Sequence, residues 1–227
     1  MSNNIRFVNR GAKTGEIWLY DQVGEGFFGG MSAKTFNDEL NKLGKVDTIN
    51  LRINSPGGSV FDGVAIYNTL KRHPARLEVD VDGIAASIAS VIMMAGDEIR
   101  MAANAMCMIH NPMGFSMGGS DEMRKTADLL DQIKGTIVDT YAKRTGEQSA
   151  VISALMDDET WMTADEARRY GFADVVTEEQ RIAASYSFDF SKFKHPPKML
   201  TGGSTPARDM AAVKLQAMSK RIAGHPA

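Results

Sequence analysis

Apolar residues recur along this chain at two spacings, and the switches between them mark out the expected elements. Ile49, Leu51 and Ile53 alternate with polar neighbours over 48–53, and Leu77, Val79 and Val81 do the same over 77–81. That is the period of a half-buried strand. A denser run, Ile17 to Tyr20 within 16–22, predicts another strand. Phe36, Leu40 and Leu43 fall on one face of a helix that Ser32 is placed to cap, and Val60, Val64, Tyr67 and Leu70 mark a second helix over 60–71. The stretch 88–95 is apolar but for Ser90 and predicts a buried helix; 98–101 and 105–109 predict two short strands. Met123, Ala127, Leu130, Ile133, Ile137 and Tyr141 keep helical spacing over 121 to about 143, with Ser120 as the expected cap and acidic residues in the first turn. A helix that long exceeds one small layer, so part of it is expected to reach beyond the subunit body. A shorter helix over 149–156, a capping box at Thr163-Ala164-Asp165-Glu166 opening a helix that stops at Gly171, and a strand over 172–176 follow.

Strand, turn and helix thus repeat, which predicts an α/β fold in a single domain. Residues 1–15 are polar without a period and are expected to form an N-terminal arm, with the domain over 16–184. From Ser185 the chain turns aromatic and basic, then breaks at Pro196-Pro197 and at Gly202-Gly203-Ser204-Thr205-Pro206. Residues 185–227 are expected to be a partly disordered tail, with a marginal amphipathic helix over 207–222.

Composition narrows the classes. The 227 residues, 43% hydrophobic and 24% charged, suit a globular chain with one sizeable core. A net charge of −2 argues against nucleic acid as the main partner. A lone cysteine, Cys107, excludes an intrachain disulfide and suits a reducing, cytoplasmic setting; its apolar neighbours predict a packing role. No apolar run reaches the length of a membrane span. No His/Cys cluster has metal-ligand spacing and no Walker-type loop is present, so neither metal nor cofactor is expected.

Candidate chemistry collects at the ends of the predicted strands. Asp82-Gly83-Ile84-Ala85-Ala86-Ser87-Ile88-Ala89-Ser90 carries a serine at a strand-to-helix turn among tiny neighbours, the setting that exposes a hydroxyl above a sheet. The glycines that usually flank such an elbow are replaced by Ala85 and Ala89, and an Ala/Ser-rich turn into a buried helix also suits plain close packing. Asn54-Ser55-Pro56-Gly57-Gly58-Ser59 is a turn whose glycines permit positive φ and close backbone approach. His110 ends a strand; its imidazole suits a general base, and a hydrogen-bonded structural histidine is the alternative. His73 ends a helix, and His195 and His225 lie in the tail. Acyl transfer needs such a hydroxyl, an imidazole and backbone N–H groups for an oxyanion.

Three blocks, Asn54-Ser55-Pro56-Gly57-Gly58, Gly83-Ile84-Ala85-Ala86-Ser87 and Met108-Ile109-His110-Asn111-Pro112, resemble the signatures of the ClpP serine peptidases, in the family's order and at similar separations. The resemblance covers roughly residues 16–180. It implies a ClpP/crotonase-like fold of stacked β-β-α units, Ser87 as nucleophile, His110 as general base, and the N–H groups of Gly58 and Ile88 as the oxyanion hole. The helix at 121–143 matches the family's handle helix, through which homo-oligomeric rings stack. In the third triad slot the family carries an aspartate, and here Glu159 stands; Asp158 is the fallback and Asp174 a more distant one. A short polar arm before the first strand resembles the ClpP-related peptidases of tailed phages, which mature procapsids by cutting scaffold and shell proteins in the host cytoplasm, and leaves an ATPase partner open. The alternatives are a housekeeping ATP-dependent Clp proteolytic subunit, a crotonase-type acyl-CoA hydratase or isomerase, and an inactive assembly subunit.

Overall fold

In the computed structural model, which describes residues 5–11, 13–25, 30–179, 188–191 and 193–197, the alternating runs become the middle of an eight-stranded sheet. Strand β1 (Ile5–Asn9) pairs antiparallel with β2 (Thr14–Leu19), Ile5 facing Leu19 and Asn9 facing Gly15. The N-terminal arm expected over 1–15 is therefore corrected in part: Ile5–Asn9 is a strand of the sheet. Ile5 and Phe7 pack against the core, with the Phe7 ring edge-on to Phe36 at 5.2 Å. Scattered apolar positions among Arg6, Asn9 and Arg10 are too few to register as a period; pairing with β2 supplies the missing order.

Helix α1 (Ala33–Lys42) starts behind Ser32, whose hydroxyl accepts the Thr35 N–H at 3.4 Å, and it buries Phe36 and Leu40. Strand β3 (Thr48–Ser55) leads into α2 (Val60–Arg72), and β4 (Arg76–Ala86) into α3 (Ile88–Met93). All of α3 is buried, as its apolar run predicts. Then come β5 (Glu98–Ala102), β6 (Met106–Ile109), α4 (Ser120–Thr145), α5 (Ser149–Asp157), β7 (Thr160–Thr163), α6 (Ala164–Arg169) and β8 (Val175–Thr177). Three further expectations are corrected here. Gly119, not Ser120, stands at the cap of α4, with Ser120 its first residue. β7 was not expected, and the strand expected over 172–176 is confined to β8, with Phe172 instead fully buried and its ring 5.2 Å from that of Tyr141. The capping box that opens α6 is present in full.

The sheet runs β1-β2-β3-β4-β5-β8, parallel from β2 onward. Its inward residues, Ile17, Leu19, Ile49, Leu51, Ile53, Val79, Val81, Ile99 and Met101, are at most 1% exposed. Two features of register position the site. β4 is long enough to serve two neighbours: Glu78 to Val81 pair with β5, whereas Ile84 to Ala86 pair in parallel with β6. The ends of β4 and β6 therefore lie side by side. β3 slips register between Ile53 and Ser55, so that Ser55 faces Ala85 and the glycine turn beyond it comes over the end of β4.

α4 buries only Ile137, Val138 and Tyr141; Met123 and Leu129 in its first half are 45% and 48% exposed. No described helix is long and apolar enough to cross a membrane. Residues 183–227 make a separate unit, in which Phe190 stands 6.1 Å from Phe188 and 6.0 Å from Phe193, ring to ring. The helix expected over 207–222, the start of the tail at Ser185, residues 26–29, and His225 lie outside the described residues.

Candidate active site

Ser87 occupies the single residue between β4 and α3, at φ 55° and ψ −129°. That corresponds to the first central position of a type II′ turn, where glycine is the ordinary occupant. Hydrogen bonds hold it there from both sides. Its N–H donates to the Met108 carbonyl of β6 at 2.9 Å, and its carbonyl accepts the Ser90 N–H at 3.0 Å and the Ser90 hydroxyl at 2.5 Å. Ala85 and Ala89, where an elbow usually has glycines, are fully buried, so small size is what the fold uses at both positions.

His110 follows β6 directly, and the parallel pairing of Ala86 with Met108 brings it beside Ser87. Its Nε2 lies 2.8 Å from the Ser87 Oγ.

The glycine turn closes over the same spot. Gly57 and Gly58 have φ of 90° and 150°. A Cβ on Gly57 would stand 2.7 Å from the Ser87 Cβ and 3.1 Å from the Ile88 nitrogen, and one on Gly58 would stand 2.0 Å from the Val23 carbonyl oxygen. Only bare backbone fits there. The turn is pinned by Val23 N–H to the Gly57 carbonyl at 2.9 Å and by Ser59 N–H to the Val23 carbonyl at 2.8 Å. Ile88 is the first residue of α3, so the helix ladder supplies its N–H no acceptor. Beside Ser87 and His110 lies a recess walled by Val60, Val91, Pro112, Ile137 and Tyr141.

The three carboxylates weighed in sequence separate clearly. β6 and β7 are antiparallel, with Cys107 opposite Met162 and Ile109 opposite Thr160. Continued by one step, that register sets His110 opposite Glu159. Glu159 is 5% exposed, has φ 51°, and accepts the Trp161 indole N–H at 3.3 Å. Asp158 is exposed at the end of α5. Asp174 instead braces β5, accepting the Ile99 N–H at 2.7 Å and the Arg144 guanidinium at 2.5 Å. Asp157 binds the Asn111 amide and the Lys134 ammonium, each at 2.7 Å, which draws its carboxyl below the ordinary range.

Cys107 is fully buried and its thiol is pushed up to about 12 by burial, the behaviour of a packing residue. His73 closes α2, with its Nδ1 accepting the Ala75 N–H at 3.2 Å. Among the described residues no group of three or more His, Cys, Asp or Glu is placed to hold a metal ion. Sequence reasoning gave Trp161 no role of its own, and it noted Ser90 only as a break in an apolar run. The signal for Ser90 was there, a lone hydroxyl one turn into a helix that is otherwise apolar.

A strained serine at a strand end, within hydrogen-bond reach of an imidazole and roofed by bare glycine backbone, has the form of a serine hydrolase site. Residues 3–180 match the Clp protease family, and the chain belongs to it: this is a ClpP-type, serine-type peptidase. The chain is similar to the ATP-dependent Clp protease proteolytic subunit of Bacteroides fragilis, 35% identical over 150 residues, 64% of this chain and 72% of that protein. The subunit of the same name from Pleurastrum terricola is 38% identical over 130 residues, 56% of this chain and 66% of that protein. Proteolytic subunit 3 of Streptomyces coelicolor is 38% identical over 132 residues, 57% of this chain and 61% of that protein. The family resemblance and the ClpP/crotonase-like α/β fold expected from the three motifs are both borne out.

Proposed function

We propose that the protein is a self-compartmentalised endopeptidase that cuts protein chains through an acyl-enzyme. Ser87 Oγ attacks the scissile carbonyl while His110 Nε2 takes the hydroxyl proton. The N–H groups of Gly58 and Ile88 receive the oxyanion, and the peptide C–N bond breaks as His110 passes its proton to the departing amine. A water molecule, deprotonated by His110 in turn, then hydrolyses the ester and frees Ser87. Glu159 holds the imidazole in the productive tautomer from its Nδ1 side. The observation that carries this reading is the 2.8 Å between the Ser87 Oγ and the His110 Nε2; the strained φ of Ser87 and the burial of Glu159 support it.

Ser87→Ala abolishes peptide hydrolysis and labelling by a fluorophosphonate; persistent labelling would remove Ser87 from the mechanism. Glu159→Gln keeps the fold and lowers kcat by about 10²-fold or more, since an amide in that slot favours the wrong tautomer. Asp158→Asn leaves kcat within about twofold, because that side chain faces solvent. Equal effects of the two variants would reassign the third residue.

The exposed first half of α4, with Met123 and Leu129, suits the stacking of rings of this chain. Two settings fit such a particle. The names of the relatives favour an ATP-dependent partner that feeds substrates to it; the resemblance to phage-encoded peptidases favours maturation of a procapsid in the host cytoplasm. Purified particles that cut scaffold or shell protein without nucleotide support the second. Degradation of folded proteins only with a ring ATPase and ATP supports the first.

A further inference from the structure

Ser87 and Ile88 share one peptide group, whose carbonyl belongs to Ser87 and whose N–H belongs to Ile88. The plane of that group decides where the Ile88 N–H points. Its carbonyl accepts the Ser90 N–H at 3.0 Å and the Ser90 hydroxyl at 2.5 Å, and the Ser90 Oγ lies 2.8 Å from the Tyr141 hydroxyl oxygen. A carbonyl only accepts, so the one Ser90 proton goes to it, and the Tyr141 proton must then point at the Ser90 oxygen. The direction of the chain, Tyr141 to Ser90 to Ser87, is thereby fixed. Ser90 is 0% exposed and Tyr141 1%, so both hydroxyls are withdrawn from bulk solvent. Burial raises the Tyr141 phenol far above its ordinary range, and it remains a donor at every working pH. Tyr141 is also braced by the Phe172 ring at 5.2 Å. Packing alone would be served by alanine at position 90, inside a helix that is otherwise apolar.

We propose that Ser90 and Tyr141 are positioning residues for the oxyanion site. Their hydroxyl chain holds the strained Ser87–Ile88 peptide in the plane that aims the Ile88 N–H at the reacting carbonyl. It also polarises that amide, since hydrogen bonds accepted at a peptide oxygen strengthen the donor on the same group. This rests on the assignment of Ser87 as nucleophile and Ile88 as an oxyanion donor.

The test uses the full chain as Ser90→Ala, Tyr141→Phe and the double variant, with kcat, KM, the Ki of a peptide boronate and the unfolding midpoint measured on each. Ser90→Ala leaves the Tyr141 hydroxyl buried without its partner and lowers the midpoint; the double variant removes both groups and recovers most of that loss. A positioning role predicts that activity does not recover with it. In both Ser90→Ala and the double variant kcat stays down by about tenfold with KM unchanged, and boronate Ki rises by a similar factor, because only the tetrahedral state uses the aimed N–H. Tyr141→Phe, which leaves the Ser90 donation to Ser87 intact, lowers kcat by about threefold. Recovery of kcat together with the midpoint in the double variant would overturn the proposal and leave the pair a packing feature. A fall in kcat with unchanged boronate Ki would also overturn it. Fluorophosphonate labelling of Ser87→Ala would overturn the assignment of Ser87 itself, and this proposal with it.

Discussion

Replacing Ser87 by glycine rather than alanine separates the strain at this residue from its chemistry. Both variants lose the hydroxyl and its 2.8 Å contact with His110, so that loss cancels between them. Alanine keeps a Cβ at φ 55° and ψ −129°, a conformation that costs a non-glycine residue about 1–3 kcal/mol. Glycine removes that cost. Against it stand the greater freedom of glycine in the unfolded chain, about 0.5–1 kcal/mol, and a few tenths of a kcal/mol for a half-buried Cβ. The balance leaves Ser87→Gly more stable than Ser87→Ala by about 1 kcal/mol, or roughly 2–4 °C in Tm for a body of this size. Thermal and urea unfolding of the two variants at one protein concentration measures it, since assembly makes apparent stability concentration-dependent. A Ser87→Gly variant no more stable than Ser87→Ala would refute strain at the elbow. It would also remove the reason why two hydrogen bonds to the Ser87 carbonyl are needed to hold the turn.

Two further outcomes follow from charges away from the serine. Asp82, 3% exposed, accepts the Tyr20 hydroxyl and the Arg52 guanidinium, the latter at 2.9 and 2.5 Å; Arg52→Met strands that carboxylate and lowers stability by about 2–3 kcal/mol in urea unfolding, while adding Asp82→Leu recovers most of it. A single variant within 0.5 kcal/mol of wild type, roughly the scatter of a neutral surface change, would show that Tyr20 suffices. Glu166 accepts the Thr163 N–H at 2.9 Å and hydroxyl at 2.8 Å, which holds its carboxyl below the ordinary range; a folded value below the unfolded one gives stability that is present above about pH 4.3 and lost as pH falls through the folded value. Glu166→Gln flattens that part of the profile of urea midpoint between pH 3 and 6, and an unchanged acid slope would remove the capping box as its source.

How much of this could be read from the chain depends on where the ordering partner lies. The strands at 48–53 and 77–81, the buried helix after Ser87 and the glycine turn announce themselves locally, because alternation and turn chemistry are properties of neighbouring residues. β1 does not: Ile5 and Phe7 gain their order from β2 and from Phe36, which the local pattern cannot display. β7 is short, and the capping box that begins at its last residue hides it. Glu159 came to attention only through the family resemblance, since its place opposite His110 depends on an antiparallel register between segments about fifty residues apart. The Ser90–Tyr141 pair joins positions 51 apart across two helices and leaves no spacing to detect.

The same division explains why the site is so compact. The reacting groups sit within three residues of a strand end, and parallel pairing sets those ends at a common level: Ser55 beside Ala85, and Ala86 beside Met108. Antiparallel β7 enters from the opposite direction and brings Glu159 to the His110 end of β6. Four separate connections therefore need no long reach to meet, and short reach means few rotatable bonds to order before reaction. What the strands do not define is the tilt of the Ser87–Ile88 peptide, which lies past the last sheet pair and has one backbone hydrogen bond at its carbonyl, from the Ser90 N–H. A hydroxyl one turn into α3, backed by a tyrosine from α4, adds a side-chain hydrogen bond to the single backbone one, from the Ser90 N–H, that this peptide's carbonyl accepts.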